Sequence, residues 1–279
     1  MIKRRGAAAM GMKFGCHGYT WQLSYDMQSD RLPQIMDVIA EGCFGGLDTQ
    51  VAMLGRFSNH PELLKEELQR RGLELAALTL SLPWLFLKET DEEREAADHF
   101  INYLGHFPNA LLNVVQMPGT NRDQLKVRQH NVLNCVNEIG RRAADKGIVT
   151  ALHPNSPPGS LFRTEEDYKV MFDGLDTEVI GYTPDAGHIA CGGMDVAEIF
   201  ERYRPFIKHV HFKDASADHI WEAMGEGTID FRRIVSHLRD TGYKGWIMVE
   251  EESAKAVVDP DGAMRANSLY VQEQLLTLL

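Results

Sequence analysis

Short apolar runs recur along the chain and alternate with longer stretches whose apolar positions repeat every three or four residues. The short runs predict strands at 12–19 (MKFGCHGY), 45–50 (GGLDTQ), 73–82 (LELAALTLSL) and 110–119 (ALLNVVQMPG). They continue at 147–155 (GIVTALHPN), 178–188 (EVIGYTPDAGH), 207–214 (IKHVHFKD) and 245–252 (GWIMVEEE). The periodic stretches predict helices at roughly 31–41, 61–71, 91–105, 123–146, 164–173, 194–204, 230–241 and 262–277. TEED (164–167) resembles a capping box with Asp in place of Glu, and RRG (70–72), DKG (145–147) and DTG (240–242) look like helix ends closed by glycine. Strand–helix units running end to end without a break between halves predict a single (β/α)8 TIM barrel over residues 12–279. Residues 1–11 are expected to be a loose N-terminal leader, with no linker or second domain after it.

Composition narrows the function. The 279-residue length suits one such barrel, and 44% hydrophobic with 25% charged residues is ordinary for a globular protein. A formal net charge of −11 argues against a general nucleic-acid binder, because phosphate attraction requires a basic surface. The 4 cysteines, Cys16, Cys43, Cys135 and Cys191, have no C-x-x-C spacing, which fits a reducing, cytoplasmic setting better than a disulfide framework. The basic start is followed by an Ala/Met stretch too short for a signal-peptide core, and no later apolar run is long enough to span a membrane. The expected partner is a small molecule rather than nucleic acid or membrane.

In a barrel of this type, chemistry sits where strands end, so the strand ends are the test. The fifth ends in His153 and Asn155, the sixth in Asp185, the seventh in His211 and the eighth in Glu250. Side chains alternate along a strand. If Val210 and Phe212 face the helices, His209, His211 and Lys213 point inward; the same parity turns Glu250 and His153 inward, while Pro184 interrupts the sixth strand. Asp185 and His188 stand three positions apart just beyond that proline, either to cap the next helix or to face a shared ligand. The bland reading makes these groups separate polar strand ends, satisfied by water and helix termini. It suffices for any one of them. Four ligand-type side chains on consecutive strands instead predict a divalent-metal site of His153, Asp185, His211 and Glu250. Mixed nitrogen and oxygen ligation suits Mn²⁺, the expected ion, or Co²⁺, Fe²⁺ or Zn²⁺, better than Ca²⁺.

Other features weigh less. Glu165 and Glu166 sit in a first helical turn, where the helix dipole explains them. GEG (225–227) reads as a turn rather than a phosphate cradle. Trp21, Trp84 and Trp221 either line a sugar pocket or pack in the core, His17 is either core or pocket, and Glu251 and Glu252 are expected in a solvated loop.

PDAGH, IKHVHFKD, GEGTIDFRRIV and GYKGWIMVEEE, over residues 180–252, strongly resemble the xylose-isomerase-like sugar isomerase/epimerase superfamily. MKFGCHGYTW matches its first strand more weakly. Members include ketose 3-epimerases, hydroxypyruvate isomerase, inosose dehydratase and endonuclease IV-type enzymes. The resemblance implies that Asp185, His211 and Glu250 are metal ligands, that His188 contacts substrate oxygens, and that Lys213, beside a ligand, contacts substrate; Asn155 is a further substrate-binding candidate. The departure is on the fifth strand, where epimerases and isomerases of the family carry a glutamate and this chain aligns His153. That substitution resembles the His-rich fifth strand of inosose dehydratases and would suit lyases that cleave 3-keto-glycosides or carbon-linked glycosides by β-elimination.

The expected enzyme therefore removes a proton next to a carbonyl of a keto-sugar or keto-cyclitol, with His153 or Glu250 as the catalytic group. Elimination, of the dehydratase or lyase kind, ranks slightly above isomerisation or epimerisation. A three-zinc nuclease would need His and Glu on strands 2–4, whose ends LDTQ, LSLPW and VQMPG carry neither. A non-catalytic barrel subunit stays open until metal and activity are assayed, although four retained ligand-type residues weigh against it. A homo-oligomer and a small second subunit both stay open.

Overall fold

The computed structural model describes residues 11–23 and 30–279; the leader expected at 1–11 lies, apart from its last residue, outside the described residues. Among the described residues, eight strands form one parallel sheet: β1 (Lys13–His17), β2 (Gly46–Gln50), β3 (Glu74–Leu82), β4 (Leu111–Gln116), β5 (Thr150–Leu152), β6 (Ile180–Tyr182), β7 (Val210–Phe212) and β8 (Trp246–Val249). Strands β1 to β6 pair in sequence, and β8 sits between β1 and β7. Parallel bridges Tyr182↔Ile207 and Asp185↔His211 bring β6 against β7 and close the ring. The closure is thin because β6 is only 3 residues long. Pro184, lacking an N–H, gives only its carbonyl, which accepts from His211 N–H at 2.9 Å.

The helices lie outside and start where expected. Thr90 and Glu93 form a capping box for Asp91–Leu104, and Thr164 with Asp167 does the same for Glu165–Gly174. Gly72, Gly147 and Gly242 take positive φ after their helices, as the RRG, DKG and DTG steps predict. Val210, Phe212, Ile247 and Val249 are fully buried on the apolar side of β7 and β8, in the same core as Ile199, Phe200, Ile234 and Leu238 from the helices. Their alternate neighbours His209, His211 and Met248 are equally buried but point into the barrel. Apolar burial on the outside of the ring thus holds a polar set at its centre.

The sixth predicted strand departs from its expected range. Residues 178–188 do not continue as strand; Ala186–Cys191 is a short helix with Asp185 as its N-cap. Beyond β7 a small antiparallel ribbon, Asp214–Ala215 with Trp221–Glu222, stands over the strand ends. No helix among the described residues is long and apolar enough to cross a membrane.

Candidate metal centre and active site

Four strand ends deliver His153, Asp185, His211 and Glu250 to one point. Each backbone is fixed by the neighbouring strand: His153 N–H donates to Val114 O at 2.9 Å and Glu250 N–H to Phe212 O at 3.0 Å. Asp185 answers both readings of its position. Its Oδ1 accepts His188 N–H at 2.8 Å and caps the helix, while its Oδ2 is left without a hydrogen bond. That Oδ2 lies 3.6 Å from His153 Nε2, and His211 Nδ1 lies 3.4 Å from Glu250 Oε2. Asp185, His211 and Glu250 offer ligand atoms all within 4.8 Å of one another, and so do His153, Asp185 and His188. All are buried. Both ring nitrogens of His153, Asp185 Oδ2 and His211 Nδ1 have no hydrogen-bond partner. Buried polar atoms are costly to leave unpaired, and a cluster of nitrogen and carboxylate lone pairs facing one another fits a divalent cation.

The surroundings set the protonation states of the cluster: burial opposes a charge on His211, but Asp48 and then Glu250 push it up to about 9, so a bound cation would displace its proton. Burial alone would raise the Glu250 carboxyl, but Lys213 and then His17 outweigh it and hold it well below the usual range. Lys213 Nζ is 2.7 Å from Glu250 Oε1 and 3.8 Å from Asp185 Oδ2 and also bonds to Glu252. Burial opposes the charge on Lys213, yet these three carboxylates keep it firmly an ammonium. Burial, and next the charge of Lys213, push His188 down to about 3, so its ring is neutral. Ser156 N–H donates to His188 Nδ1 at 3.3 Å, the Ser156 hydroxyl lies 2.8 Å from the same nitrogen, and Lys213 Nζ lies 3.4 Å from Nε2. Desolvation is the largest influence on His153 and lowers it, so it too is a neutral imidazole.

Asp48 escapes the sequence reading, which leaves His17 open between core and pocket and misplaces Glu252. Asp48 in β2 is fully buried; Nε2 of His209 and of His211 each lies 2.9 Å from its Oδ2, and Thr79 Oγ1 donates to its Oδ1 at 2.9 Å. Burial would raise its carboxyl, but His17, His209 and His211 hold it well below the ordinary range. A charged residue inside a predicted buried strand was the available signal. His17 belongs to the pocket, with Nδ1 2.8 Å from Glu250 Oε2. The expected solvated loop at 251–252 is corrected. Glu251 is buried and bonded to Ser253 and Asn267 Nδ2, and Glu252 lines the cavity with its carboxyl pushed up to about 7, first by burial. Glu252 turns back onto Lys213, and Glu251 onto Ser253 and Asn267, so that each buried carboxylate has a partner in place of solvent.

The remaining candidates fall out simply. Asn155 lines the cavity, but its amide is engaged, donating to Gln116 O at 3.0 Å and accepting from Ser160. Trp21 and Trp84 are core; Trp21 Nε1 donates to Asp261 at 2.6 Å. Trp221 packs edge-on against His188, with centroids 5.4 Å apart, and has Lys213 Nζ 4.9 Å over its ring. The GEG turn cradles no phosphate: Gly225 and Gly227 N–H groups donate to buried Asp214. Glu165 pairs with Arg202 on the outer surface.

Above the cluster lies a cavity of about 170 Å³. Its ionisable lining includes His17, His153, His188, His211, Glu250 and Glu252, and Gln50, Thr79, Ser81 and Asn113 are among its hydroxyl and amide groups. Such a lining suits a small, hydroxyl-rich molecule bearing a group that binds a metal ion.

Comparison with known proteins agrees with this layout. A sequence model of the family described as "Xylose isomerase-like TIM barrel" matches residues 37–274. The inosose dehydratase of Clostridium botulinum (strain Alaska E43 / Type E3) is 24% identical over 251 residues, covering 78% of this chain and 83% of that protein. Two solved structures share the fold. The probable 3-DHS dehydratase AsbF of Bacillus anthracis superposes with a TM-score of 0.75 at 18% identity, over 94% of this chain and 100% of its own. The IOLI protein, solved with a binding zinc atom, gives 0.76 at 14% identity, over 96% and 99%.

Proposed function

Because this chain belongs to the xylose isomerase-like TIM-barrel family, we propose that it is a divalent-metal-dependent dehydratase acting on a keto-cyclitol or keto-sugar. The observation that carries the reading is the set of unpartnered, buried ligand atoms on His153, Asp185 and His211 beside Glu250. Relatives that are inosose dehydratases support the choice of reaction, as does a histidine rather than a carboxylate at the end of β5. His153, Asp185, His211 and Glu250 would hold the ion. When bound, a divalent ion such as Mn²⁺, or Co²⁺, Fe²⁺ or Zn²⁺, supplies Lewis acidity that polarises a substrate carbonyl.

The chain's own residues do the rest. Glu250, kept ionised by Lys213 and His17, takes the proton from the carbon next to the carbonyl. His188, held by Ser156 on one side and Lys213 on the other, contacts a substrate oxygen. The bond from the β-carbon to its hydroxyl then breaks, and Glu252, its carboxyl pushed up to about 7, gives a proton to the departing oxygen, so that one water leaves and no redox change occurs. A neutral imidazole at position 153 carries one negative charge fewer than a glutamate would, which strengthens the ion as a Lewis acid and favours elimination. The four free cysteines fit a reducing compartment, so we assign the enzyme to the cytoplasm.

One observation favours a second reading, isomerisation or epimerisation. Glu252 lies against Glu250 and restores a pair of carboxylates that could move a proton between two carbons. The test is to incubate the enzyme with 2-keto-inositol, a 3-keto-glucoside and a ketohexose in D₂O and follow products by NMR. A dehydrated product from the cyclitol, or aglycone released from the glucoside, is expected. Deuterium exchange with a ketohexose epimer as the sole, efficiently formed product would reverse the order.

A further inference from the structure

The reading above leaves a fully buried anion unused. Asp48 lies inside the barrel, one strand over from His17 on β1, and its two oxygens are saturated. Oδ2 faces Nε2 of His209 and Nε2 of His211, each at 2.9 Å. Oδ1 accepts the Thr79 hydroxyl at 2.9 Å and lies 3.5 Å from His17 Nε2. An ionised carboxylate only accepts hydrogen bonds. His211 must therefore carry a proton on Nε2, and the nitrogen able to offer a lone pair to a cation is Nδ1. That is the atom with no hydrogen-bond partner, on the Glu250 side of the ring.

We propose that Asp48 is a positioning residue for the metal centre: from across the barrel it fixes the tautomer and ring orientation of His211, so that Nδ1 faces the ion. The inference rests on the metal reading of the site. A second cation held by His17, Asp48 and His211 is the competing use of the same residues, since their ligand atoms also lie within 4.8 Å of one another. Two facts oppose it. Both Asp48 oxygens are already taken by donors, and the nitrogen of His211 on that side carries the proton. Thr79 extends the device: its hydroxyl donates to Asp48, so its oxygen is free to accept Asn113 Nδ2 at 3.3 Å. Asn113 lines the same cavity, so one hydrogen-bond chain ties the ligand histidine to the opposite lining.

The experiment loads metal-free wild type and Asp48→Asn with Zn²⁺. It measures affinity by competition with a chelator and records ¹⁵N-histidine NMR of the zinc form. Wild type is expected to bind one Zn²⁺ per chain, with His211 ligated through Nδ1 and a slowly exchanging Nε2–H. Asp48→Asn should bind about 10- to 100-fold more weakly, the usual consequence of losing a carboxylate behind a ligand histidine. Zinc affinity within twofold of wild type, in a variant with unchanged circular dichroism, would overturn the inference. If Asp48→Asn does not fold, the wild-type spectrum decides alone: ligation of His211 through Nε2 overturns it. A wild type that takes up no Zn²⁺ overturns the metal reading itself, an outcome distinct from a normal wild type with an unaffected variant.

Discussion

Lys213 and Glu250 form an ion pair of 2.7 Å, Nζ to Oε1, inside the barrel mouth, with the lysine side chain 1% exposed. The same ammonium reaches Asp185 and Glu252, so one cation balances three carboxylates around the proposed ligand cluster. Its removal strands their charge. Lys213→Met is expected to destabilise the metal-free protein by about 3–5 kcal/mol, the scale for breaking a buried pair on one side. Excess Mn²⁺ should then raise the melting temperature of the variant more than that of wild type, because the ion takes over the missing positive charge. Equal shifts in thermal melts would show that lysine and ion do not share these carboxylates.

Metal content tests the ligand set directly. Purified protein should carry one transition-metal ion per chain by elemental analysis, and chelation should abolish activity that Mn²⁺ or Co²⁺ restores. An Asp185→Ala, His211→Ala double variant removes two of the atoms that lack a hydrogen-bond partner. It should contain no stoichiometric ion; unchanged content would refute the site.

His188 should separate substrate handling from metal binding. His188→Ala is expected to keep the ion and lower kcat/KM by about 10- to 100-fold, the scale of one hydrogen bond to a charged or strongly polarised oxygen. Ser156→Ala removes the hydroxyl 2.8 Å from Nδ1 but keeps the backbone N–H at 3.3 Å, and should lose less than about tenfold. Loss of metal from His188→Ala, seen in the same elemental analysis, would make it a ligand instead.

The box at residues 164–167 predicts two unequal stability losses. Thr164→Ala removes one cap and should cost about 1 kcal/mol in urea denaturation. Asp167 also accepts Arg163 N–H at 3.0 Å and Gln129 Nε2 at 3.0 Å, and pairs with Arg122. Asp167→Ala strands several of these donors, so its cost should exceed that of Thr164→Ala by about 1–3 kcal/mol.

Gly159→Ala probes the loops of the mouth. Gly159 and Gly119 form an antiparallel bridge between the segments after β4 and β5, and a Cβ at 159 would run into the Gly119 carbonyl. The variant should lose about 1–3 kcal/mol and bind substrate less tightly while keeping its ion. Unaltered KM and melting temperature would mean that the loops part without consequence.

Local patterning carries much of this protein. Period-two and period-three-to-four repeats locate the strands and helices, and capping residues locate helix ends such as Thr164 and Gly72, because those interactions span only a few residues. Alternation along β7 and β8 also turns His209, His211, Lys213 and Glu250 inward, since burying Val210, Phe212, Ile247 and Val249 against the helices leaves them no other side. What alternation cannot express is distance across the barrel. Asp48 meets His211 from 163 positions away, and His17 meets Glu250 from the other end of the chain. Those meetings depend on the stagger and closure of the whole ring. Residues beyond a strand's last paired position have no period to read, so only the folded loop turns Glu252 back onto Lys213. The same holds for Asp185, whose Oδ1 caps a helix while its Oδ2 faces His153. Chain order decides which side chains stand at the rim; closure of the barrel decides which of them touch.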